Sequence, residues 1–139
     1  MSRSYYQSDI KTFINKSSEE VLGTIINAEK TFNVTPKSTS AWITEINQLQ
    51  SNLHFLNGYI HFEFIIPRVG KRADVILIIK NVIFILEYKA GSDNFDASAI
   101  NQVTDYALDL KNFHEGSHNQ IICPVLIATN ANNSEVPLT

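Results

Sequence analysis

Residues 73–79 and 82–89, ADVILII and VIFILEYK, are two runs of Ile, Val, Leu and Phe separated only by Lys80-Asn81. Runs this short and this rich in β-branched and aromatic side chains suit strands, and the polar two-residue break between them suits a hairpin turn. A strand that is apolar on both faces is stable only when both faces are covered. The pair therefore predicts a central place in a sheet with helices on either side, and charged groups are tolerated there only at strand ends. Between residues 65 and 91 the only acids are Asp74, near the start of the first run, and Glu87, near the end of the second, with Lys89 two positions further on.

A two-residue loop, or a symmetric four-residue one, sets Ile79 opposite Val82, Leu77 opposite Phe84 and Asp74 opposite Glu87. Directly opposed residues have Cβ atoms about 4.5–5.5 Å apart, where two carboxylates repel and call for a compensating cation. Because side chains alternate, Lys89 shares the face of Glu87, Ile83 and Ile85, while Val82, Phe84, Leu86 and Tyr88 line the other. The competing account makes Glu87-Tyr88-Lys89 a strand end that frays into solvent and Asp74 a turn residue.

The rest of the chain supplies elements around this hairpin. Residues 41–53 place Trp42, Ile46, Leu49 and Leu53 at helical spacing, preceded by the cap candidates Thr39 and Ser40. Asn57-Gly58 turns the chain into a strand over 59–66, with Ile60, Phe62, Phe64 and Ile66 on one side and Tyr59, His61 and Glu63 on the other. Asp96 can cap a helix over about 97–113 whose face of Ile100, Val103, Ala107 and Leu110 packs on the sheet. Residues 121–128 form a last strand, in which Pro124 argues for an edge or a bulge. Upstream, helices are expected around 8–15 and 18–32. The expected fold class is therefore α/β, a central mixed four-stranded sheet flanked by helices.

The acids and their setting resemble the PD-(D/E)xK (restriction-endonuclease-like) nuclease superfamily, whose signature is an Asp at the start of one strand and Glu-x-Lys at the end of the next. Here these are Asp74 and Glu87-Tyr88-Lys89, with Ala73 in place of the Pro of the superfamily's name. The order helix, three strands, helix, strand over about residues 40–128 is also the superfamily's core order. Gln102 and Tyr106, four apart on the following helix, look like the Gln-x3-Tyr element of the RecB-like branch, although such pairs are also common on helix surfaces. Glu45 on the preceding helix matches the Glu that completes the metal site in many members; a solvated helix acid is the alternative.

The resemblance implies hydrolysis of phosphodiester bonds, in DNA first of all. Asp74, Glu87, Glu45 and the Tyr88 carbonyl would be oxygen ligands for Mg²⁺ or Mn²⁺, and Lys89 would stabilise transition-state charge. Arg68, Lys71 and Arg72 are candidate phosphate contacts or else a solvated basic loop. A nucleic-acid docking module of the same fold, working with a fused or associated ATPase or helicase, is the alternative. The resemblance extends to nuclease-like domains at the front of larger phage or bacterial proteins of that kind, and no P-loop occurs within these residues.

His114-Glu-Gly-Ser-His118 matches the letter pattern of a helical zinc site. Gly116 and Ser117 are poor helix formers ahead of a strand, so a zinc hydrolase built on His114 and His118 is only a remote reading. His54 and His61 lack partners at ligand spacing. Glu20 in Ser17-Ser-Glu-Glu20 reads as part of a helix cap.

With 139 residues, 44% of them hydrophobic, the chain suits a single domain. We divide it into a helical extension over 1–37, a core over 38–130 and a tail over 131–139 that resembles a truncated linker. The net charge of −3 gives no global attraction to nucleic acid, and the single cysteine, Cys123, excludes an internal disulfide. Neither a membrane-spanning run nor a signal-peptide core is visible, so an intracellular, cytoplasmic protein is expected.

Overall fold

The computed structural model describes residues 4–29, 36–66, 71–89, 100–102, 104–108, 121–128 and 136–137. It is a mixed α/β fold. Six strands, β1 (Tyr6–Asp9), β2 (Tyr59–Ile65), β3 (Arg72–Ile79), β4 (Val82–Lys89), β5 (Ile121–Ala128) and β6 (Val136–Pro137), lie side by side in sequence order. Neighbours are antiparallel except β4 and β5, which run parallel. Helices α1 (Ile10–Asn15), α2 (Ser18–Ala28) and α3 (Pro36–Asn52) precede β2. Residues 100–102 and 104–108 are helical and lie between β4 and β5, where a parallel crossover needs such a segment.

Two apolar cores enclose the sheet, as strands apolar on both faces require. Val75, Leu77, Leu86 and Tyr88 pack with Ile10, Phe13, Val21, Ile25, the α3 face of Trp42, Ile46 and Leu49, and Leu53 just beyond it. Ile76, Ile83 and Ile85 pack with Tyr106 and Ala107. The hairpin register is the expected one, Ile79 opposite Val82 and Leu77 opposite Phe84. Lys80 makes the turn possible by taking a left-handed φ of 54°.

Several boundaries differ from the sequence reading. The first helix starts at Ile10, two residues later than expected, because Asp9 caps it by accepting from the Thr12 N–H at 2.7 Å. The residues before it pair with β2 as a strand instead. α2 ends at Ala28, and its Ser17 cap accepts from the Glu20 N–H at 3.2 Å, which accounts for Glu20 structurally. α3 begins at Pro36, whose fixed φ suits a first helical turn, so Thr39 and Ser40 lie inside the helix rather than capping it. The sheet has six strands rather than four, since β1 adds one edge and residues of the expected tail add the short β6. β6 covers only Val125 and Leu126, so Pro124 faces no outer strand among the described residues. Cys123 is half-buried. The Asp96 cap and residues 109–113 of the later helix lie outside the described residues.

The largest departure is within β2. Ile60 and Phe62 join the core beneath α1–α3, whereas Phe64 and Ile66 join the opposite core. All four were expected on one side. Glu63, between them, adopts φ 52°, and this left-handed residue reverses the alternation of the strand. The partner strand mirrors it, with Ala73 in one core and Val75 in the other.

Gly58 enters β2 so close to β3 that a Cβ there would collide with the carbonyl oxygen of Ile78. Its own carbonyl accepts from the Ile10 N–H at 2.8 Å, tying α1 to the same corner. Gly58→Ala should lower stability by about 2 kcal/mol or more, read as a drop in thermal midpoint, because backbone on both sides must move.

Candidate functional site

The pairing of β2, β3 and β4 builds a row of acids. Phe62 faces Val75 and Phe64 faces Ala73, which sets Glu63 opposite Asp74. Val75 faces Leu86, which sets Asp74 opposite Glu87. Three carboxylates thus occupy one row across three adjacent strands, at the end of the sheet where the chain leaves β4.

At that row the carboxylates take over from the backbone ladder, which ends at Val75 and Leu86. The Asp74 N–H donates to Glu87 Oε1 at 2.9 Å, and the Tyr88 N–H donates to Asp74 Oδ2 at 2.8 Å. Each carboxylate is therefore oriented by the other strand, and the two remain together as the sequence register required. Charge-assisted bonds of this kind are about twice as strong as neutral ones, which fixes both side chains. Glu87 is buried despite its charge.

α3 supplies a fourth acid. Glu45 lies one turn beyond Trp42 and is only 6% exposed. Its Oε1 is buried with no hydrogen-bond partner among the described residues. Burial, followed by repulsion from Asp74, Glu63 and Glu87, pushes the Glu45 carboxyl up to about 10. Glu63 rises to about 7, driven by burial and then by Asp74, against the opposing effects of Arg72 and a hydrogen bond from the Trp42 indole.

From the other face, the helical segment brings Tyr106, 3% exposed, toward the same acids. The Gln102 amide donates to its hydroxyl at 2.7 Å, so the two residues four apart form one unit. Burial raises the Tyr106 phenol, and Glu87, Asp74 and Glu63 add to this.

The remaining candidates divide. Tyr88 packs its ring in the α-helical core while its N–H holds Asp74. Lys89 closes β4 opposite Ala128, with its side chain outside what is described. Arg72 is occupied on the flank, 3.7 Å from Glu29 and stacked over the Tyr5 ring at 4.6 Å. Lys71 is exposed. Arg68, His114 and His118 lie outside the described residues. His61 is hydrogen-bonded to Ser4 at 2.8 Å, and His54 is exposed beside Phe55.

Glu63 was not singled out in the sequence. The signal was present in the PRVGKR connection, where the Ile66 N–H donates to the Lys71 carbonyl at 2.8 Å. A symmetric four-residue loop there sets Glu63 opposite Asp74 by the same reasoning that paired Asp74 with Glu87.

Among the described residues no three His, Cys, Asp or Glu side chains are gathered as a ready metal cage. The donor set nevertheless suits a hard cation: all its ligating atoms are oxygen, its charges repel one another, and one buried Glu45 oxygen lacks a partner. Comparison with protein-family models, with curated proteins and with solved structures finds no match.

The raised carboxyls set a pH dependence. Glu45 and Glu63 hold protons more tightly folded than at their ordinary value of 4.5, so their contribution is fully present below that pH and is lost as pH rises through about 7 for Glu63 and about 10 for Glu45. In EDTA the thermal midpoint should therefore fall between pH 5 and pH 9. Glu45→Gln should raise the midpoint at pH 9 and flatten the profile.

Proposed function

We propose that the chain is a divalent-metal-dependent nuclease of the restriction-endonuclease-like, PD-(D/E)xK type, acting on DNA. The observation that carries this reading is the meeting of Glu45, Asp74 and Glu87 at one strand end, two of them locked by reciprocal backbone bonds. The order α3, β2, β3, β4, helical segment, β5, with the last two strands parallel, supports the same fold type.

In this reading Asp74, Glu87 and Glu45, with the Tyr88 carbonyl, hold Mg²⁺ or Mn²⁺. Such an ion, once held, would supply polarisation of a phosphoryl oxygen and a coordinated water of lowered pKa. The protein positions these groups before substrate arrives, since Asp74 and Glu87 are each anchored through one oxygen. Lys89 contributes a compact positive charge for the developing phosphorane. The Gln102–Tyr106 pair and the basic residues Arg68 and Lys71 contact the nucleic acid strand, which is needed because the net charge of −3 supplies no general attraction.

A second reading is a nucleic-acid docking module of the same fold that serves a fused or associated ATPase or helicase. It draws on the absence of a ready metal cage among the described residues. Cleavage of labelled linear duplex, circular single-stranded DNA and RNA decides between them. The nuclease reading expects Mg²⁺- or Mn²⁺-dependent cleavage that disappears in EDTA and falls roughly 10²–10³-fold in Glu87→Ala and Asp74→Asn. Absence of both metal binding and cleavage of any substrate would favour the docking module, and EDTA-resistant cleavage would contradict the proposed chemistry.

A further inference from the structure

Glu63 sits in the interior of a strand that could have continued its alternation with any β-branched residue. Instead the chain adopts a left-handed φ of 52° there, a conformation that Glu rarely takes and Gly takes readily. The consequence is specific: Phe62 and Phe64 enter opposite cores, and the residue between them occupies the row of Asp74 and Glu87. An acid in that position lies opposite Asp74 on the adjacent strand and within electrostatic reach of Glu45 on α3. Trp42 donates to the Glu63 carboxylate, and Arg72 attracts it from the side facing Glu29.

A merely structural role would be met by the Trp42 bond and the Arg72 charge. It does not account for the buried Glu45 Oε1, on a carboxyl within electrostatic reach of the same acids, which has no hydrogen-bond partner among the described residues. Mg²⁺ is ordinarily held by one or two carboxylates with waters completing its shell. These four acids are not drawn into a ready cage, yet they lie within electrostatic reach of one another through Glu45, more carboxylates than a single ion needs.

We infer that Glu63 is a cation-ligating residue, presented by the left-handed turn of β2, that extends the Glu45–Asp74–Glu87 group by a fourth carboxylate. This rests on the metal-dependent reading above. The test is titration of the full chain with Mn²⁺ by calorimetry, with thermal melting of each variant to confirm folding. Glu63→Gln keeps an oxygen acceptor for Trp42, and Glu63→Gly relaxes the left-handed backbone, so neither should unfold the protein. Both should weaken Mn²⁺ binding about tenfold or more, a loss comparable to that for residues that support metal ligands. If both bind Mn²⁺ as the wild type does while Asp74→Asn does not, Glu63 is not a ligand, and the metal-dependent reading stands without it. If the wild type itself binds no Mn²⁺, the metal-dependent reading falls, and this inference falls with it.

Discussion

Repulsion among carboxylates in a partly dry setting is the constraint around which this end of the molecule is built. Two unit charges 5 Å apart at an effective dielectric near 20 repel by on the order of 3 kcal/mol, and Asp74 has such a neighbour on each side. The protein relieves this in two ways. Backbone N–H groups from Asp74 and Tyr88 neutralise part of the Asp74–Glu87 pair. Glu45 keeps its proton well above neutral pH, and Glu63 loses its proton near neutrality. In the proposed reading, a divalent cation would remove the remaining repulsion.

The rest of the fold holds these groups in place. β3 and β4 are buried on both faces, so their ends cannot slide without exposing Val75, Ile76, Ile85 and Leu86. A one-residue slip would also exchange the two cores. α3 is seated by Trp42, Ile46, Leu49 and Leu53, and Gln50 ties it to α1 by donating to the carbonyls of Phe13 and Lys16 at 2.9 Å. Glu45 is thereby delivered from a rigid helix to a rigid strand end. Of the two left-handed non-glycine residues among those described, Lys80 makes the hairpin turn and Glu63 stands in the row of acids, where such a conformation costs roughly 1–2 kcal/mol. Proteins tolerate such local violations at sites that do chemistry.

The parts of this arrangement that were legible in the sequence are those dictated by period and spacing. The hairpin register followed from a two-residue break, the boundaries of β4 and β5 followed from runs of β-branched residues, and the buried face of α3 followed from helical spacing. β1 escaped notice because YQSD is short and carries one apolar residue, Tyr6, so no alternating pattern marks it; it pairs with the edge of β2. The first turn of α3 was hidden because PKST carries no apolar stripe. Glu63 was read as the outer face of a regular strand. Its register opposite Asp74 follows from the length of the connection to β3, but the reversal of alternation around it depends on one backbone dihedral, which side-chain pattern does not report.

The central claim is that Glu45, Asp74 and Glu87 form a cation site at the end of β3 and β4. The most direct measurement is a crystal structure grown with Mn²⁺, with anomalous scattering used to locate the ion. The expected result is an anomalous peak about 2.0–2.3 Å from carboxylate oxygens of Asp74 and Glu87, with Glu45 turned toward it directly or through water. Full Mn²⁺ loading with no peak at this row, or with the ion bound elsewhere, would contradict it.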